Sequence, residues 1–128
     1  MKINCMSLHP GDYVLVESFD FPSRFKTRVK AVYENYIIDD KGNKLSYACL
    51  EGILLKSLDP SEYKDLGFLT VEYSNSTSYI KDCLQISIDD FVVIVQIGFS
   101  GKGKQTSDIK YLHEVQHFYH RETGKSLL

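Results

Sequence analysis

No apolar run in this chain approaches a membrane span. Phe91 to Ile97 is far short of the about 20 residues that crossing a bilayer as a helix takes. The opening M-K-I-N-C-M-S has none of the extended apolar stretch that directs secretion. Cysteine is sparse: Cys5, Cys49 and Cys83 are odd in number, widely spaced and never C-x-x-C, so neither a disulfide framework nor a zinc ribbon is indicated. A reduced, cytoplasmic protein is the expectation. Charge of one sign is also lacking, since the formal net charge is only −2, which argues against a generic nucleic-acid coat. There is no internal repeat and no low-complexity tract. What remains is ordinary globular material: 128 residues, 43% hydrophobic and 25% charged, enough for one domain or two very small ones with a real core.

The clearest helix is the last stretch, Ser107 to Gly124, S-D-I-K-Y-L-H-E-V-Q-H-F-Y-H-R-E-T-G. Ser107 or Asp108 suits the N-cap and Gly124 the left-handed stop. On a helical wheel Tyr111, Leu112, Phe118 and Tyr119 gather within about 60° of Val115 as a core stripe. His113, His117 and His120 fall roughly 140–160° away, which predicts that they face outward. This bears on H-E-V-Q-H at His113 to His117, which fits the zinc-protease pattern of two histidines and an intervening general base. A catalytic zinc needs a third protein ligand and walls against water. Thr123 stands where a metzincin has its third histidine, and Glu122 lies near the apolar stripe. His113 and His117 are therefore expected to bind metal only adventitiously, with no cofactor.

G-F-S-G-K-G-K-Q, Gly98 to Gln105, falls one residue short of a P-loop. A strand before it and a helix after it would supply the required context. Gln105, however, replaces the Ser or Thr whose hydroxyl holds magnesium, and no later strand offers a Walker-B aspartate. A basic connector is the simpler reading.

From the start, Leu8 to Asp12 forms a turn into a strand, Tyr13 to Val16. Arg24 to Tyr33 alternates: Arg24, Lys26, Arg28 and Lys30 point one way, Phe25, Thr27, Val29 and Ala31 the other. Tyr36 to Asp39 is a third strand, D-D-K-G-N a tight turn, and Lys44 to Leu50 the return. Asp59 caps a short helix, Ser61 to Leu66, with Pro60 at its first position and Gly67 closing it. Phe68 to Tyr73, Tyr79-Ile80, Leu84 to Ile88 and Phe91 to Ile97 read as an antiparallel meander. The fold class is α+β, mostly β. Residues 1–57 make a small SH3-like barrel or curled antiparallel sheet, and residues 58–128 make a short helix, a meander and a capping C-terminal helix, the two halves being separate or one continuous domain.

L-x-x-G-D-Y-V near the start, L-D-P-S-E-Y-K-D-L-G-F in the middle and K-Y-L-H-E-V-Q-H-F-Y-H-R-E-T-G-K-S-L at the end resemble a family of short proteins encoded in phages, prophages and mobile elements of gut anaerobes. The likeness runs through nearly the whole chain and is most specific in its last block. His113, Gln116, Tyr119, Thr123, Gly124 and Leu127 match the family's pattern. Glu114 stands at a Gln position and His117 at an Asn position. The family has no established activity, so the resemblance lends no catalytic residues and implies that H-E-V-Q-H is not a zinc site.

The remaining feature is the row Arg24, Lys26, Arg28 and Lys30, four cations along about 20 Å of strand. Small β-barrels use such faces to grip phosphate backbones, whereas sheets also use charged rows to keep exposed strands unpaired. Lys102, Lys104 and Lys110 would extend the positive area if the fold brought them near. Residues 59–98 hold only Lys64 and Lys81 against seven acids, so charge is segregated along the chain, which suits a protein contact equally well. The functional expectation is a non-enzymatic protein-binding or accessory protein of a phage or mobile element, with an unknown protein as partner and no membrane. The alternative is a nucleic-acid-binding module using strand 24–30, and a zinc-dependent hydrolase is a distant third.

Overall fold

The computed structural model describes residues 8–18, 21–98 and 104–128. Cys5 and the glycine-rich stretch 99–103, including Lys102, lie outside them. The chain divides into two compact units, Met1–Ile53 and Leu54–Leu128. The architecture is α+β and mostly β: two five-stranded antiparallel sheets, one in each unit, with helices in the second.

In the first unit β1 (Tyr13–Ser18), β2 (Phe21–Val32), β3 (Tyr36–Asp39), β4 (Lys44–Ser46) and β5 (Leu50–Glu51) line up in the order β4-β3-β2-β1-β5. Because β4 and β5 are both edges, the sheet is curled and open, not the closed SH3-like barrel that was the other expected form. The expected return strand Lys44 to Leu50 is broken by a 3-10 turn, Tyr47–Cys49, which lets β5 cross over to pair with β1. Alternation decides what is buried. Val14, Val16, Thr27, Val29, Ile37, Asp39, Leu45 and Leu50 face the core, together with Leu8 and Cys49. Two of these are polar, and each accounts for the other. The fully buried Asp39 carboxylate accepts from the Thr27 hydroxyl at 2.9 Å, the Asn43 amide side chain at 3.0 Å, and the backbone N–H groups of Lys41 and Asn43 at 3.0 and 2.7 Å. The D-D-K-G-N turn is thus tied from inside, and Gly42, at φ +86°, supplies the left-handed step it needs.

In the second unit Asp59 caps α1 (Pro60–Asp65) in a reciprocal box: its carboxylate accepts from the Glu62 N–H at 2.9 Å, and Glu62 returns the contact to the Asp59 N–H at 3.2 Å. Gly67, at φ +94°, ends the turn. β6 (Leu69–Glu72), β7 (Thr77–Lys81), β8 (Leu84–Ile88), β9 (Val93–Ile97) and β10 (Lys104–Thr106) form a meander in sequence order. On one face Tyr79, Leu84, Ile86, Val93, Val95 and Ile97 are buried. Tyr63 of α1 lies flat on Tyr79, ring centroids 3.6 Å apart, and its hydroxyl donates to the Leu55 carbonyl at 2.8 Å. Burial, with Tyr79 and Glu62 nearby, pushes the Tyr63 hydroxyl far above the usual tyrosine range. The closing helix α2 (Leu112–Thr123) packs at β9, and its Tyr119 hydroxyl reaches Asp82 at 3.3 Å.

Candidate functional site

The helix does not begin at Ser107. Ser107 lies in a bend and residues 108–110 are not helical; α2 starts at Leu112, because Glu114 reaches back to accept from the backbone N–H groups of Lys110 and Tyr111 at 3.2 and 3.1 Å. Glu114 is the residue that would serve as general base in H-E-V-Q-H. Here its carboxylate satisfies the N–H of the N-cap residue Tyr111 and that of Lys110 just before it, and its charge favours the positive end of the helix dipole. Gly124 stops the helix as expected, at φ +74°.

The expected outward placement of the histidines is overturned at His113, which is 3% exposed. His117 is half-buried and only His120 is exposed. Gln116 is buried as well, so α2 is covered on a wider arc than its apolar stripe. A wheel gives angles between side chains; it does not say how far neighbouring chain wraps around the flanks. The His113 and His117 rings meet edge to face, centroids 5.8 Å apart, and the Tyr111 ring lies 6.0 Å from His113. Among the described residues no three His, Cys, Asp or Glu side chains gather as a ligand set. Cys49 is buried and Cys83 half-buried, both as free thiols.

The P-loop context is also corrected. The glycine-rich stretch leads into β10, which folds back antiparallel on β9 with Lys104 opposite Ile97 and Gln105 opposite Gln96. A strand at this point replaces the helix N-terminus that a phosphate cradle would use. Lys104 turns instead to α2, 3.3 Å from the Glu122 carboxylate.

The row on β2 is present but not uniform. Thr27 and Val29 are buried and Phe25 partly so, while Arg24 and Lys30 are exposed and Lys26 and Arg28 half-buried. Val29 pairs with Asp39 and Ala31 with Ile38, so Lys30 is the extra residue of a bulge and leaves the strict two-residue spacing. Arg24 is 3.1 Å from Glu17 on β1. The Arg28 guanidinium packs over Gly11. Leu15 faces both Lys26 and Glu51 across the sheet, which brings a second acid onto the same surface.

Beyond the bulge this surface carries an aromatic group that sequence reasoning did not single out. Tyr33 and Tyr36 stack at 4.9 Å, the Tyr47 hydroxyl donates to the Tyr33 carbonyl at 2.7 Å, and Lys44 Nζ sits 4.3 Å above the Tyr36 ring. The signal was Y-E-N-Y: a two-residue turn sets its flanking residues directly opposite each other, here sealed by the Tyr33 N–H to Tyr36 carbonyl bond.

The second sheet also has an open face. Gln85, Gln96 and Gln105 stand in one cross-strand row, and Gln85 donates to the Ser78 and Ser87 hydroxyls at 3.2 and 3.1 Å. Large apolar side chains are exposed in this unit at Leu69 (72%), Tyr73 (60%) and Phe91 (92%). Among the described residues no helix is long and apolar enough to cross a membrane. Compared with family models, curated proteins and solved structures, the chain matches none.

Proposed function

We propose that the chain is a non-enzymatic binding or accessory protein of a phage or mobile element, and that the outer surface of its first sheet receives a protein partner. The observation that carries this reading is the mixed charge of that surface. Acids are set among the cations of β2, with Glu17 paired to Arg24 at 3.1 Å and Glu51 one strand over. A surface of interleaved signs with a stacked tyrosine pair at one end suits a protein of complementary pattern, for which tyrosines serve as anchors and charges set register. The resemblance of the C-terminal block supports the mobile-element setting.

Nucleic acid is the second reading, favoured by one observation: the Tyr33–Tyr36 stack with Lys44 at 4.3 Å combines an aromatic platform with cations at the end of the basic row. Affinity capture from the host cell, read by both mass spectrometry and nucleic-acid sequencing, separates the two. A fluorescence titration with single- and double-stranded DNA and RNA at two salt concentrations complements it. The expected result is a captured protein and no titratable nucleic acid at low salt. Nucleic-acid binding that steepens with falling salt, and whose salt slope drops by about one per cation removed in Arg24→Ala/Lys30→Ala, would overturn the protein reading.

A further inference from the structure

The edge strand β6 lacks the protection that the other edges carry. Each sheet edge in a soluble protein needs a defence against pairing with other chains, and lysine, proline, bulges or brevity normally provide it. Among the described residues the other edges have such devices. β4 presents Lys44, β10 presents Lys104, and β5 is two residues long. β6 is Leu69-Thr70-Val71-Glu72, running on to Tyr73; all five residues are exposed, and there is no lysine, arginine or proline.

Its hydrogen-bonding direction follows from its two ends. The Tyr73 N–H donates to Ser76 across the hairpin, so Tyr73, Val71 and Leu69 direct their backbone groups toward β7. The Phe68 N–H turns the other way, to the Tyr63 carbonyl. Thr70 and Glu72 therefore aim their N–H and C=O groups outward, where no strand of the described chain pairs with them.

We propose that this edge forms an antiparallel two-fold pair with β6 of a second chain, centred on Val71, joining the two meanders into one sheet. Of the registers that this backbone direction allows, the one centred on Val71 sets both outward residues against each other; a two-fold at Thr70 would set Glu72 against Phe68, whose N–H is already given to Tyr63. Thr70 and Glu72 of each copy then exchange both of their backbone bonds with Glu72 and Thr70 of the other, while Val71 meets Val71 as a close, non-hydrogen-bonded pair. The side chains agree with that register. On the open face Leu69 meets Tyr73 and Val71 meets its own copy, so the apolar stripe Leu69-Val71-Tyr73 covers itself. On the other face the one charge, Glu72, is set against Thr70 and not against its own copy. The pattern apolar-polar-apolar-polar-apolar reads the same in both directions, which is what an isologous contact requires and an unrelated peptide would not. The contact is shorter than a standard interface of about 1,600 Å², so a reversible, concentration-dependent dimer is expected.

Sedimentation of the full chain over a concentration series reaching the high-micromolar range tests this. The wild type should pass from monomer to dimer. Val71→Lys places like charges opposite each other at the two-fold and should weaken the dimer by roughly tenfold or more. Thr70→Pro removes an outward N–H without touching a β6–β7 bond and should do the same. Far-ultraviolet circular dichroism checks that each variant folds. Val71→Cys should give a reducible disulfide dimer on mild oxidation, because facing residues of a close pair lie within disulfide reach, whereas the wild type under the same treatment should not. A wild type that stays monomeric, a dimer that survives both Val71→Lys and Thr70→Pro, or a Val71→Cys chain that does not cross-link would each overturn the proposal.

Discussion

Glu114 shows how a residue type can be read correctly for its chemistry and wrongly for its employment. Between two histidines it has the form of a general base, yet it accepts backbone N–H groups at 3.1 and 3.2 Å at the start of α2. Glu114→Ala should therefore lower stability by about 1 kcal/mol, as loss of a cap does, in a urea melt. Elemental analysis of the untagged wild type should find no stoichiometric zinc; one zinc per chain surviving mild chelation would restore the metal reading. Asp39 is a second carboxylate with a structural role. Four donors converge on its buried carboxylate, and Asp39→Ala would leave the Lys41 and Asn43 N–H groups without this acceptor and Thr27 with only Asp40, at 3.2 Å. The expected loss is about 2–3 kcal/mol, larger than for any exposed acid of the same unit.

At the scale of elements, local chemistry was legible and coverage was not. The α1 cap was readable because Asp-Pro-x-Glu satisfies helix N–H donors with side chains three residues apart. Tyr36 to Asp39, Leu84 to Ile88, the D-D-K-G-N turn and the Gly124 stop were readable for the same reason: each is decided within a few residues of itself. The start of α2 was missed because Ser107 and Asp108 are good caps in isolation, and only the reach of Glu114 to Tyr111 places the boundary. β10 was missed because three polar residues, Lys104-Gln105-Thr106, carry no alternation, and their pairing with β9 is a tertiary fact. The bulge at Lys30 was invisible because the basic spacing continues evenly through it; β3 decides it. Of the surface proposed to bind, the cations were legible as a row, whereas Glu17, Glu51 and the Tyr33–Tyr36 stack come from other strands. Tyr63 marks where a short helix gains its stability. Tyr63→Phe loses only the hydrogen bond to Leu55, and about 1 kcal/mol is expected. Tyr63→Ala also removes the stack on Tyr79 and should cost about 3–5 kcal/mol. A smaller gap between the two variants in urea melts would mean that the stack contributes little.

For the molecule as a whole, the titrating groups define a pH window. Burial alone would raise the Asp39 carboxyl, but hydrogen bonds from Asn43, Thr27 and Lys41 outweigh it and hold the group below the ordinary aspartate value. The backbone N–H groups of Phe91 and Val92 hold Asp89 low in the second unit. A carboxyl depressed in the folded state contributes stability above its unfolded value of about 3.9, and that contribution is lost as pH falls through the folded value. At the other limit Tyr63, Tyr79 and Tyr119 are all raised, chiefly by burial, with Glu72 and Asp59 acting on Tyr79 and Asp82 on Tyr119. A phenol raised in the folded state contributes fully below its unfolded value of about 10, and its contribution fades as pH climbs through the folded value. The contribution of these carboxyls and phenols to stability in urea melts should thus be flat from roughly pH 5 to 9 and fall on both sides. The limbs have different owners. Asp39→Asn should lower the plateau and shallow the acid limb while leaving the alkaline limb unchanged. Tyr79→Phe, which keeps the ring on Tyr63 but cannot ionise, should shallow the alkaline limb while leaving the acid limb unchanged. An alkaline limb equally steep in Tyr79→Phe would assign the loss to other groups and remove Tyr79 from this account.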